Sequence, residues 1–148
     1  MALIDQIREE VVKVPLEATN KPEVISELVQ VLVAAGELSD ADSAYRALLE
    51  REEKGSTGLE KGIAVPHAKS AAVNKLTIAI GIAPHGVDFD AQDGKPSELV
   101  FLLLAAPDQS GPHIEALSEI ARLTRSDAFC RALKNSENAA EVIELIRG

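Results

Sequence analysis

His67 is the residue whose setting in this sequence best suits it to chemistry. It comes near the end of the run Gly55-Ser56-Thr57-Gly58-Leu59-Glu60-Lys61-Gly62-Ile63-Ala64-Val65-Pro66-His67-Ala68-Lys69, where a glycine-punctuated loop leads into a short apolar strand. A neutral imidazole is a competent nucleophile near pH 7. Glycines upstream free backbone N–H groups to point at an anion. A histidine facing such a loop suits transient acceptance of a phosphoryl group. Arg51 precedes the loop at the end of a predicted helix. Its guanidinium fork fits a pair of phosphoryl oxygens, and its plainer role is a favourable charge at a helix C-terminus.

Two further histidines compete for a role. His113 opens a predicted helix after an apolar strand, and strand ends in α/β sandwiches are where sites gather. His85 lies in a polar turn and reads as a surface residue. Neither His67 nor His113 has an H-x₃-H partner, and the lone Cys130 is distant in sequence, so no metal-ligand spacing is present and no metal is expected to bind. A G-x-S-x-G elbow and a G-x-x-x-x-G-K-[ST] loop are both missing, which argues against a serine hydrolase and against nucleotide hydrolysis. Lys54 and Lys61 read as solvated charges.

The bulk composition narrows the partners. The chain has 148 residues, of which 46% are hydrophobic and 26% charged, so one globular domain over residues 1–148 is expected. Lys and Arg number 15 against 24 Asp and Glu, a net charge of −9, which argues against nucleic acid and anionic membranes as partners. A basic partner protein remains compatible with that charge. One cysteine permits no internal disulfide, and Cys130 reads as a buried thiol. The start, MALIDQIREE, carries acids where a signal peptide would be apolar, and the longest apolar run, near 99–106, is too short to span a bilayer. The expectation is a soluble, cytoplasmic protein.

The elements that must position His67 follow from periodicity. Residues 10–16 read as a strand ended by Pro15. Asn20 caps a helix whose apolar face is Val24, Leu28, Val31 and Leu32, stopped at Gly36. Ser39 is expected to open a second helix ending at Gly55, which places Arg51 in its last turn. The nearly continuous apolar runs 76–83 and 99–105 read as central strands, joined by residues 85–94 with an Asp93-Gly94 turn. Three helices are expected after Pro107, opening near Ser110, near Ser126 and before Ala139. Strands in the middle with helices before and after imply a sheet covered on both faces.

The segments Arg51–Gly58 and Gly62-Ile63-Ala64-Val65-Pro66-His67-Ala68 resemble the fructose/mannitol-type (type 2) enzyme IIA domains of the bacterial phosphotransferase system, among them the nitrogen-regulatory IIA proteins. The resemblance continues through Gly86–Asp90, Leu99–Leu104 and His113–Leu117, across essentially the whole chain. It implies a three-layer α/β/α sandwich on a mixed sheet. It also implies a phosphoryl relay without cofactor or metal. His67 would accept the group from the histidine-containing phosphocarrier protein, with Arg51 and His113 in support and Ser56 and Thr57 lining the pocket. The group would pass to a IIB transport subunit; the alternative is a regulatory protein whose phosphorylation state controls its target. The absence of a fused partner domain leans toward the regulatory branch. A fold relative without the chemistry, as in cytoplasmic domains of anion exchangers, is disfavoured by the joint presence of His67, Arg51 and His113. Glu60 departs from the family's usual Gly or Ala and is expected to face solvent.

Overall fold

The computed structural model describes residues 7–148. The reading of the first residues as lacking an apolar leader falls largely on residues 1–6, outside the described residues. The element order is β1 (Val12–Lys13), α1 (Lys21–Ala34), α2 (Ala41–Glu53), β2 (Ile63–Ala64), β3 (His67–Lys69), β4 (Thr77–Val87), β5 (Ser97–Ala105), α3 (Ser110–Leu123), α4 (Asp127–Lys134) and α5 (Ala139–Arg147).

Long antiparallel β4 and β5 form the centre of the sheet. β1 pairs with β4 in parallel, and β2 and β3 both pair with β5 in parallel, so the sheet is mixed. Side chains alternate between its two faces. Ile78, Ile80 and Ile82 of β4 and Leu99, Phe101 and Leu103 of β5 pack with α3, α4 and α5. Ala79, Ala83, Val100, Leu102 and Leu104 pack with α1 and α2. Each face has its own core, which gives the three-layer α/β/α sandwich expected. The continuous apolar reading of β4 and β5 is explained by burial on both sides.

Local chemistry sets the element ends. The side chains of Asn20, Asp40, Ser126 and Asn138 each accept an N–H in the first turn of α1, α2, α4 and α5. Gly36 takes a φ of +76° just beyond α1, a conformation that suits glycine. Three boundaries differ from the expectations. The first strand shrinks to Val12–Lys13, because Glu9–Val11 form a 3₁₀ turn and Pro15 has no N–H for a ladder. The second helix opens at Asp40 rather than Ser39, because the Asp40 carboxylate accepts Ser43 N–H at 3.1 Å. β4 extends past Ala83 to Val87, with a register shift between Ile82 and Val87 that accommodates Pro84.

Candidate active site

His67 stands at the start of β3, opposite Leu103 on β5. Pro66 interrupts the edge between β2 and β3, which an edge strand tolerates, and its carbonyl still accepts Leu103 N–H at 2.9 Å. The half-buried His67 ring places Nδ1 2.7 Å from the Val65 carbonyl oxygen. A carbonyl only accepts, so Nδ1 carries a proton, and in the neutral ring the lone pair is on Nε2.

Alternation then decides the neighbours. Ala68 points into the α1–α2 core. His67 and Lys69 point to the opposite face, where α3 begins. The His67 and His113 rings meet edge to face, with centroids 5.2 Å apart and planes at 76°. Lys69 Nζ lies 2.5 Å from the Ser110 hydroxyl in the first turn of α3. His113 is buried, and its Nε2 has no hydrogen-bond partner. Burial, then electrostatic interaction with His67 and Lys69, holds the His113 ring below the ordinary imidazole pKa. It is therefore neutral near pH 7, with one ring N–H to donate. Helix α3 has no side-chain cap, since Gln109 makes no side-chain capping bond. Its positive end lies beside the two imidazoles, a setting that favours an anion.

The glycine loop is built differently from its expected role. The N–H groups of Gly55, Thr57 and Gly58 go to the Glu52 carbonyl (3.1 Å), the Glu52 carboxylate (3.3 Å) and the Ser56 hydroxyl (2.9 Å). Ser56 donates its hydroxyl proton to the Phe89 carbonyl, and Thr57 donates its own to the Glu52 carboxylate. The Ser56 and Thr57 hydroxyl protons are thus taken by the Phe89 carbonyl and the Glu52 carboxylate, and the two residues brace the loop. Arg51, in the last turn of α2, donates from Nη1 to the Gly55 carbonyl at 2.8 Å. Glu60 is exposed, as expected.

Comparison with known proteins shows the family of the chain. Residues 5–148 match the family model described as "Phosphoenolpyruvate-dependent sugar phosphotransferase system, EIIA 2". The chain belongs to that EIIA type-2 family. It is 36% identical over 126 residues to the fructose-specific EIIA component of Haloferax volcanii, covering 85% of this chain and 82% of that one. It is 30% identical to the nitrogen regulatory protein of Bradyrhizobium diazoefficiens, covering 99% and 95%. A fructose-specific EIIABC component of Bacillus subtilis is 36% identical over 146 residues, and there the chain spans only 23% of the longer protein. Among solved structures, nitrogen regulatory protein IIA-Ntr from Neisseria meningitidis superposes with a TM-score of 0.88 at 30% identity, covering 97% of this chain and 98% of that one.

Within this EIIA fold, the structure brings His67 and His113 together and places Arg51 on the α2 side, turned back on its own loop. His85 lies apart, near the Ala18 carbonyl. Two residues that motif reading missed adjoin these groups: Lys69 beside His67 on β3, and Glu52 beside Arg51 at the end of α2. Lys69 was discoverable from strand alternation, since it sits two positions beyond His67. Glu52 carried no such signal, because its partner Lys21, 31 residues away, comes to it only by tertiary contact. Among the described residues no group of three or more His, Cys, Asp or Glu side chains gathers as a metal site. No described helix is long and apolar enough to cross a membrane.

Proposed function

We propose that this EIIA domain is a cytoplasmic phosphoryl carrier, with Nε2 of His67 the atom that takes the group. The observation that carries the reading is the histidine pair. One ring has Nδ1 fixed and Nε2 free, and a buried neutral imidazole with an unpartnered nitrogen stands against it. The donor is a phosphohistidine of the histidine-containing phosphocarrier protein. Nε2 attacks phosphorus in line, and the donor N–P bond breaks with its electron pair returning to the donor ring. Nδ1 keeps its proton throughout, so no proton need move, and the Val65 carbonyl stabilises the positive ring that results.

Such a transfer is loose, with charge spread over three oxygens, so catalysis is positioning and electrostatics. The unpartnered nitrogen of His113 donates to one oxygen once the group arrives. Lys69 and the uncapped start of α3 add positive potential. Arg51 exchanges its Gly55 carbonyl for phosphoryl oxygens, a swap that gains a charge-assisted, bidentate contact. Donor and acceptor are both imidazoles of similar transfer potential, so no cofactor or metal is required.

The recipient in this reading is a IIB subunit of the fructose/mannitol class, in keeping with the names of the Haloferax volcanii and Bacillus subtilis relatives. A second reading, a nitrogen-regulatory protein whose phosphorylation controls a partner, draws on the Neisseria meningitidis and Bradyrhizobium diazoefficiens similarities. The test is incubation with phosphoenolpyruvate, enzyme I and the phosphocarrier, followed by mass spectrometry. One acid-labile, base-stable phosphate is expected on His67, absent in His67→Ala and formed orders of magnitude more slowly in Arg51→Ala. Full labelling of His67→Ala would end the proposal. Onward transfer to a IIB protein selects transport, whereas partner binding that phosphorylation abolishes selects regulation.

A further inference from the structure

We infer that Glu52 is a positioning residue for phosphoryl transfer, held in place by Lys21; this inference rests on the carrier reading above. The Glu52 side chain is only 6% exposed, although it lies in the last turn of α2, where the helix dipole disfavours a carboxylate. A buried carboxylate needs donors to offset its lost hydration. Glu52 has three: the Thr57 N–H at 3.3 Å, the Thr57 hydroxyl and the Lys21 ammonium at 3.1 Å. Lys21 in turn reaches Asp90 at 3.4 Å and lies 5.6 Å from the Phe89 ring centroid.

The consequence lies in what Thr57 holds. Its carbonyl accepts the Val65 N–H at 3.0 Å, and the Val65 carbonyl fixes His67 Nδ1 at 2.7 Å. Two residues before Thr57, the Gly55 carbonyl accepts from Arg51 at 2.8 Å. Clamping Thr57 therefore registers the nucleophile on one side and the guanidinium on the other. Lys21 has a second effect. It keeps the Glu52 carboxylate committed to the loop, so that the adjacent Arg51 is not tied to that carboxylate and has only its Gly55 carbonyl bond to exchange for an incoming anion.

The test is steady-state phosphoryl transfer with the phosphorylated phosphocarrier varied. Glu52→Ala removes the clamp and Thr57→Val removes its hydroxyl bond, and kcat is expected to fall by about tenfold to a hundredfold, the scale of a roughly 1 Å misplacement. KM should stay within about twofold, because the Glu52 side chain and Thr57 are buried and offer no surface for the phosphocarrier to contact. Glu52→Gln retains an acceptor for Thr57 and should recover most of the loss. In an Arg51→Ala background Glu52→Ala should cost less than it does in the wild type, since part of its effect passes through Arg51. A general loss of stability would lower all rates alike and would show neither the rescue nor the non-additivity. Wild-type kcat in Glu52→Ala, or a loss confined to KM, overturns the inference. Should Glu52→Ala not fold, Thr57→Val carries the test with the same expected split. An unlabelled wild type defeats the carrier reading itself, whereas a labelled wild type with fully active Glu52→Ala defeats only the role of Glu52.

Discussion

Replacing His113 by glutamine tests the electrostatics of the site most directly, through the pH dependence of stability. The buried His113 ring has its pKa lowered, first by desolvation and then by His67 and Lys69. Its unfolded-state pKa is the ordinary value near 6.5. Below that pH the unfolded chain binds a proton that the folded chain still refuses. Unfolding then takes up protons, and the stability present above the unfolded pKa is lost as pH falls toward the folded one. The limiting slope for one proton is about 1.4 kcal/mol per pH unit, reached only between the two pKa values. The amide of the His113→Gln variant does not titrate, so the wild-type minus variant difference isolates this effect from the 24 carboxylates of Asp and Glu. Urea unfolding of both proteins at closely spaced pH values from 5 to 8 gives the difference directly. It should be flat above about pH 7.5 and fall as the pH drops through 6.5. A flat difference throughout, or a wild type that gains on the variant at low pH, would refute the burial argument. In phosphorylated protein this pH dependence should weaken, because a dianion beside His113 favours its charged form and opposes the effect of burial.

Two other predictions concern the scaffold. In Gly81→Ala the new Cβ would lie 2.6 Å from Leu16 Cδ1 in the core between the sheet and α1, so the urea midpoint should drop by the equivalent of about 1–3 kcal/mol; an unchanged midpoint would mean Leu16 can swing clear. Asp40→Ala removes the cap of α2 and should cost about 1 kcal/mol in urea unfolding while leaving the rate of His67 labelling intact, and a slowed rate would mean that the α2 start also positions Arg51.

The histidine pair shows how far local reading reaches. Proline, glycine and caps act through backbone geometry and near-neighbour hydrogen bonds, so Asn20, Gly36 and the Gly62–Ala68 segment can be placed from the chain alone. Long apolar runs identify β4 and β5, because burial on both faces removes any need for polar alternation. Boundaries escape local reading where a single competing bond decides them, as at Asp40, and where β4 continues through a bulge beyond Pro84. The role of the glycine loop escapes it for a related reason. Its N–H groups and hydroxyls suit an anion, yet the Thr57 N–H and hydroxyl go to the Glu52 carboxylate of α2, and the Ser56 hydroxyl goes to the Phe89 carbonyl, 33 residues along the chain.

The sequence by itself determined which residue types were available, which of them fall on strands and helices, and the family whose pattern they follow. Only the tertiary structure decided that His67 and His113 face one another, that Lys69 shares their side of the sheet, and that Glu52 is enclosed between Lys21 and Thr57. Each of those relations joins side chains brought together by strand pairing and by helices packing on a sheet. Such contacts depend on register and layer order summed over the whole chain, whereas a cap or a glycine turn depends on a few bonds close at hand.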